Sequence, residues 1–591
     1  VVGRVGRAGS VPWTGLPEGR RRPGELAHSG AGGRGGNWER RQAGKPAAPA
    51  AAKGWCERED GAMSLPNREN PYSFDRFLEW RKGVDYYQDD PFLKKVIRRY
   101  CGSCSDEVEE EAQRISKKVS YRWRDLADSI AALEKRPFLV HYDGHHHRID
   151  RIVRPREAEI LEKEVFSEAL FSEKTLPWVR FVKMFLIYQN GEACVACPLA
   201  CTDGLVAILR LYADTPVLKR ILEHCAEGIE GEFGIGAQYL SEIQGGSDVP
   251  SNLLEAAREG DVWRLYGTKF FCSAAHADYA LVTAKPTGSE KVALFVVPSW
   301  LPGDKEKERR NGYTIDRLKW KMGTCELPTA EITFKGAIAY PVGPLERGLA
   351  NVVGIVLTLS RLTVGVSSAA GMVRGAREAR KYSEFREAFG IPIGRFPLVA
   401  GQIRTIETYA RRTTAGAFKV YAEFLGLGGT LRGGLATDEP LEVRRKRFDL
   451  RELIMLQKIT AAWDATEVCR QTMSIFGGHG VMEDFSSLPR FYRDSAVNEL
   501  WEGPRNVLLT QIYRDLERAS EWYPVEEFVG SLLRGRDQRV IDDLSREMRE
   551  VLEYPNIYAL EEEAIEVSRR WDSLCHRVFH EYQDLALSEV G

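Results

Sequence analysis

The sequence predicts a mainly helical α+β chain: an N-terminal helical domain, a small β-domain, then a four-helix bundle with a helical extension. Three observations carry this. Between Phe74 and Gly234 apolar residues recur at three- and four-residue spacing, as in Pro91 to Tyr100 and Ala158 to Phe171. Near Gly236 the pattern changes to short β-rich runs separated by turn residues, beginning at Val262, Phe270, Tyr279, Val292, Tyr313 and Ala330. From Asn351 onward, long helix-period segments return. At 591 residues the chain exceeds what one core accommodates, so several domains are expected.

In chain order, residues 1–62 are rich in Gly, Ala, Pro and Arg and lack large aliphatic residues in any period, so they read as a disordered leader. Met63 opens a stretch of different character and is a candidate natural start. The helical domain is placed at 63–235, with one strand-like interruption at Phe138 to Gly144, and the β-domain at 236–345. The bundle, 346–516, is drawn as four helices: about Asn351 to Phe385, Leu398 to Leu425, Leu441 to Phe476 and Ser495 to Leu516. The Gly-rich stretch 426–434 reads as a connection, and 517–591 as the helical extension.

Composition excludes some functions. The formal charge is −2, and from Tyr513 to the C-terminus 19 Asp/Glu face 10 Arg and no Lys, a sign of charge that repels phosphates and makes nucleic acid an unfavoured partner. No apolar run reaches the roughly 18 residues of a membrane helix, so a soluble protein with no transmembrane segment is expected. Eleven Cys without even spacing favour reduced thiols and an intracellular setting. The expected compartment is cytoplasmic, with the mitochondrial matrix as the alternative if the Arg-rich leader is a transit segment. Cys101/Cys104 and Cys194/Cys197, followed by Cys201, have a spacing that two thiolates on one ion would need, but no matching Cys/His pair follows, and no metal is expected. His145 to His147 follows a turn signal and reads as a solvated loop.

Five stretches could carry chemistry. Gln238 to Asp248 (QYLSEIQGGSD) contains Gly245 and Gly246, which let backbone N–H groups approach a phosphate, and Ser247, which can donate to it; an ordinary Gly-Gly turn is the alternative. Gly267 to Ser273 (GTKFFCS) offers either aromatic core or a flat apolar face for a planar ligand. Arg386 to Gly390 (REAFG) ends the first long bundle helix. Ser474 to Gly480 (SIFGGHG) ends the third. In Asn498 to Asn506 (NELWEGPRN), Glu502 precedes a Gly-Pro pair at a helix start, a bend where a carboxylate flanked by an aromatic can serve as a base.

Taken together and in this order, these stretches resemble the acyl-CoA dehydrogenase family over about Asn67 to Leu516, most nearly its AidB-like branch, which also has a C-terminal extension. The resemblance implies FAD, an acyl-CoA substrate and an electron acceptor such as an electron-transfer flavoprotein. It implies that Gln238, Leu240, Ser241, Gly246 and Ser247 form a first flavin loop, Ser247 also meeting substrate. Phe271 would pack on the isoalloxazine, with Cys272 and Ser273 beside it. Arg386 and Phe389 would reach a neighbouring subunit's FAD, implying a homo-oligomer, a dimer of dimers. Ser474, Gly477 and Gly478 would meet the adenosine half, Ser474 replacing the usual Gln. Trp501, Gly503 and Asn506 would touch the flavin, while Pro504 replaces the family's Thr or Ser and removes a hydroxyl and an N–H. Arg361 matches either an acyl-site arginine or a structural ion-pair partner. Glu502 falls on the catalytic carboxylate: it would take the α-proton of an acyl thioester while the flavin accepts hydride from the β-carbon, giving the 2,3-enoyl product.

Three other readings are distinguishable: an oxidase passing electrons to oxygen, an AidB-like nucleic-acid-binding flavoprotein of weak activity, and a non-catalytic acyl-CoA-binding regulator. Acyl length is not fixed by the sequence.

Overall fold

The computed structural model describes residues 73–429 and 439–591. The leader 1–62 lies outside the described residues, as does most of the Gly-rich stretch 426–434. Eight helices build the N-terminal region: α1 (Asp75–Gly83), α2 (Pro91–Tyr100), α3 (Ser105–Lys117), α4 (Arg124–Ile130), α5 (Arg156–Phe166), α6 (Pro177–Tyr188), α7 (Ala196–Tyr212) and α8 (Pro216–Ala226). Pro starts α2, α6 and α8, where its missing N–H costs nothing, and Asp90 and Thr215 cap α2 and α8 by accepting from Leu93 N–H and Leu218 N–H. The strand-like interruption is an antiparallel hairpin, β1 (Phe138–Tyr142) with β2 (Arg148–Val153). His145 and His147 sit in its exposed turn, donating backbone N–H groups to Asp143.

The β-domain has seven strands: β3 (Gly236–Tyr239), β4 (Glu255–Glu259), β5 (Val262–Ser273), β6 (Tyr279–Pro286), β7 (Ala293–Pro298), β8 (Tyr313–Leu318) and β9 (Thr329–Pro341). Neighbours run β6-β4-β5-β9-β7, and β7 pairs with β6 again, so the sheet closes into a small barrel and removes its own edges. β3 joins β6 in parallel and β8 lies on β9. The β5–β9 register shifts between Lys269 and Cys272, a bulge that re-aims the side chains between them.

In the bundle, α9 (Gly348–Asn351) and a π-helical turn, Val352–Val356, lead into α10 (Leu357–Phe385); α11 (Pro397–Gly426) and α12 (Leu441–Phe476) follow. The fourth expected helix, Ser495 to Leu516, is not continuous. It is two helices, α13 (Leu488–Asn498) and α14 (Arg505–Ala519), because Glu502, Gly503 and Pro504 break it: the first two have positive φ and the third caps α14 from outside. The segment Leu345–Phe385 is long and apolar enough to cross a membrane by length and composition, contrary to the expectation from apolar runs. Within the fold it is the central helix, packed on α11 and α12 with Arg361, Arg374 and Glu378 buried along it.

A two-stranded hairpin, β10 (Glu387–Ala388) with β11 (Ile391–Pro392), follows α10; its two-residue turn, Phe389-Gly390, has positive φ at both positions. The extension forms α15 (Val525–Leu532), α16 (Gln538–Leu552) and α17 (Glu562–Val590). It docks on the bundle: Gln583 lies so close to Gly416 that a Cβ there would be 2.8 Å from its Cγ. Asp464 on α12 pairs with His580 at 2.8 Å, and Asp449 accepts hydroxyl hydrogen bonds from Tyr523 and Ser531.

Candidate active site

Glu502 sits at the break between α13 and α14 with φ +59°, a left-handed conformation that a side-chain-bearing residue adopts only when its surroundings hold it there. Gly503 follows at φ +101°, where a Cβ would come within 2.9 Å of Leu508, so only glycine fits. Two buried cations fix the turn. Arg361 Nε on α10 donates to the Glu502 carbonyl at 3.0 Å. Lys458 Nζ on α12 donates to the carbonyls of Glu499 and Gly503 at 2.9 and 2.7 Å. Arg361 thus has a positioning contact with the turn, as well as the charge proximity that an ion-pair partner would have.

The electrostatics suit a proton acceptor. Burial raises the Glu502 carboxyl above its ordinary range, and Arg361 and Lys458 partly offset this. The cations feel the same enclosure: burial lowers Lys458 to about 7 and Arg361 to about 10. A carboxylate raised in this way remains a base near neutral pH and is stronger than an exposed one.

Glu502 and Trp501 open onto a narrow, partly open cleft of about 70 Å³. Its walls come from four places. The end of α6, the start of α7 and the loop between them supply Tyr188, Cys197 and Glu192; α10 supplies Ser360, Thr363 and Gly371; α13 supplies Phe491, Asp494 and Asn498; and the loop between β8 and β9 supplies Thr324. Ser360 to Gly371 spans roughly 16 Å at 1.5 Å rise per residue, so the cleft is a slot along α10. Trp501 Nε1 in its wall is buried without a hydrogen-bond partner. The N-terminal helices and the bundle thus meet at one slot with the acid at one end.

The barrel residues are held by a polar network that sequence reasoning left out. Lys269, fully buried, donates to Glu242 Oε1 at 2.8 Å, to the Leu240 carbonyl at 3.0 Å and to Thr283 at 3.1 Å. Glu242 in turn accepts from Leu253 N–H and Leu254 N–H. This pair fixes the loop after β3. The signal was in the sequence, since a Lys and a Glu within otherwise apolar barrel segments must be paired to be buried. In that loop Gly246 lies directly against Ser241, where any Cβ would collide with the Ser241 hydroxyl. Ser247 shares a surface hollow with Asn506, bringing the barrel loop and the start of α14 to one place. Gln238 is buried, its amide donating to the Cys201 carbonyl at 3.5 Å.

On β5 the two-residue alternation separates the neighbours. Phe271 is half exposed, whereas Cys272 is fully buried in the barrel, backbone included. Ser273 exchanges a hydrogen bond with Thr329 at 3.2 Å, and Lys321 donates to the same Thr329. At the end of α10, Arg386 closes the helix and Phe389 stands 98% exposed on the hairpin tip. Ser474, Gly477 and Gly478 are exposed at the end of α12 with space above both glycines, whereas a Cβ on Gly480 would strike the Met473 backbone. The residues present fit a flavin: Phe271 offers a half-exposed aromatic ring with Lys319 Nζ 4.4 Å from its centroid, the loop at Gly246 exposed backbone, and Trp501 Nε1 an unused donor.

An α-helical bundle, a closed barrel and an acid at a strained turn facing a slot define the fold and site of a flavin-dependent acyl-CoA dehydrogenase. The comparisons agree. The acyl-CoA dehydrogenase middle domain matches residues 237–337 and its C-terminal domain residues 346–517. Acyl-CoA dehydrogenase family member 11 of Caenorhabditis elegans is 30% identical over 455 residues, covering 72% of this chain and 70% of that protein. The putative acyl-CoA dehydrogenase AidB of Escherichia coli is 26% identical over 494 residues, covering 80% and 84%. The crystal structure of Caenorhabditis elegans ACDH-11 in complex with C11-CoA superposes with a TM-score of 0.72 at 24% identity, covering 90% of this chain and 93% of that one. The chain belongs to the acyl-CoA dehydrogenase family, whose members are FAD-dependent oxidoreductases.

Proposed function

We propose that the protein oxidises a fatty acyl-CoA to the 2,3-enoyl-CoA, with Glu502 as the base. The observation that carries this is Glu502 itself, held at a left-handed turn by Arg361 and Lys458, with its carboxyl raised by burial and opening onto the slot along α10. The acyl chain lies in the slot and the thioester at its Glu502 end. FAD, when bound, supplies the acceptor for the β-hydride. Glu502 takes the α-proton, and its own backbone N–H is the protein donor available to the thioester oxygen as negative charge grows there. Trp501 and the enclosed walls keep water from the carboxylate and so keep it basic.

A slot of this length favours a chain of medium or greater length over a short acyl group. Electron transfer to a flavoprotein partner and assembly with further copies of the chain belong to the same proposal. The second is supported by Phe389, a large aromatic side chain almost wholly in solvent. The test is Glu502→Gln, which keeps size and removes basicity. Its kcat should fall by about 10²–10⁴-fold, the usual contribution of a positioned base, with FAD content unchanged. Turnover near wild type would exclude Glu502 as the base.

A further inference from the structure

The slot is not lined as a plain hydrocarbon site. Besides Glu502 its wall carries Tyr188, Glu192 and Asp494, all at least nine-tenths buried. Part of this polarity has a structural use. Glu192 accepts from Cys197 N–H at 3.2 Å, Asp494 Oδ1 accepts from Thr324 N–H at 2.6 Å, and the neighbouring Glu326 accepts from Ala193 N–H at 3.0 Å. These bonds hold Ala193 and Thr324, both at positive φ.

Two atoms are left over. Asp494 Oδ2 and the Tyr188 hydroxyl have no hydrogen-bond partner of normal geometry among the described residues, although Thr363 lies beside Tyr188. A hydrocarbon chain in the slot would cover both and return nothing for their lost hydration. Asp494 belongs to the part of the slot away from the base. It lies on α13, eight residues before Glu502 in the chain, with Oδ2 3.7 Å from where a Cβ on Gly191 would stand; Phe491 closes on the same glycine and faces Arg374, 13 residues along α10 from the Arg361 that bonds the Glu502 turn. Burial and the nearby Glu326 raise the carboxyls of Glu192 to about 8 and Asp494 to about 7, so each can be protonated near neutral pH and donate as well as accept. Lys321, whose charge acts on Glu192, is itself lowered by burial.

We propose that Tyr188, Glu192 and Asp494 form a polar subsite that recognises a hydroxyl on the acyl chain, remote from the thioester, so that hydroxylated acyl-CoAs are preferred over plain ones. A hydroxyl both donates and accepts, and so can serve either Asp494 Oδ2 or the Tyr188 oxygen. A site built to bond a hydroxyl also discriminates against the analogue lacking it, because its own polar groups are then left unpaired. The inference rests on the slot being the acyl pocket.

The experiment is equilibrium binding to the FAD-loaded full chain, using pairs of acyl-CoAs of equal length with and without one hydroxyl, its position stepped along the distal half of the chain. At one position the hydroxylated member should bind at least tenfold more tightly. That ratio should fall about tenfold in Tyr188→Phe, which removes only the hydroxyl beside Thr363, and should also fall in Asp494→Asn, which keeps the acceptor for Thr324. Binding of plain and hydroxylated chains with equal strength at every position would overturn this inference alone, as would a ratio unmoved by both substitutions. Binding of neither would overturn the acyl-pocket reading, and the inference with it.

Discussion

Glu502 shows how little of a residue's chemistry is intrinsic. An exposed glutamate titrates near 4.3, but this one is enclosed by Trp501, α10 and α12, and burial outweighs the attraction of Arg361 and Lys458. The sign of the consequence is fixed, since the base must be ionised and its pKa is raised. The kcat/KM for acyl-CoA should therefore fall as pH drops through a value above the ordinary carboxylate range. A pH–rate profile with its acidic limb near that of a free carboxylate would contradict this placement. The sequence showed Glu502 through the Gly-Pro pair beside it, but not the two cations that fix the turn. Arg361 and Lys458 lie on helices 141 and 44 residues away, and such pairing is set by tertiary packing rather than local pattern. Nor could it separate Cys272 from its neighbours, because the bulge in β5 depends on the register with β9.

At the scale of elements, the loop after β3 depends on the Glu242–Lys269 pair. Lys269→Met would leave a buried carboxylate without its cation, a change that commonly costs about 3–5 kcal/mol. The expected outcome is early loss of barrel structure in denaturant and poor FAD retention, with partial recovery in the double variant Glu242→Gln/Lys269→Met. The docking of α15 has a pH dependence of its own. Burial raises Asp449 to about 6 despite its bonds to Tyr523 and Ser531. The folded form therefore holds this proton more tightly than the unfolded chain, so the stability it confers is full below about pH 4 and is lost as pH rises to about 6. Asp449→Asn should raise Tm by about 2–4 °C at pH 8, with the gain shrinking toward pH 4. An unchanged Tm at pH 8 would show that the carboxylate is not penalised there. Helix period and turn residues made most of these elements legible, and α12 has the bounds read from sequence. The break between α13 and α14 was legible in the Gly-Pro pair after Glu502, although helix period alone drew one helix through it from Ser495 to Leu516; the positive φ of Glu502 and Gly503 makes that continuity impossible.

At the scale of the molecule, two features of the long apolar segment Leu345–Phe385 reconcile its composition with a globular fold: it runs through the centre of the bundle, and its buried charged groups are partnered, Arg374 with Glu378 one turn along the same helix and Arg361 with the Glu502 carbonyl. The same segment forms one wall of the slot, so the helix that organises the core also shapes the site. The extension completes this arrangement. Its α17 covers α11 and α12 through Asp464, Thr413 and Gly416. Its acidic character, plain in the sequence, is partly spent on ion pairs with arginines of the same extension, as between Arg536 and Glu581. The most direct measurement is anaerobic titration of the yellow, FAD-loaded protein with acyl-CoAs of increasing length, following flavin absorbance. Wild type should bleach stoichiometrically with chains that fill the slot, and Glu502→Gln should bind them and stay yellow. Bleaching by the variant at the wild-type rate, or wild-type protein that binds acyl-CoA of every length without bleaching, would contradict the assignment of Glu502 as the base of a dehydrogenase.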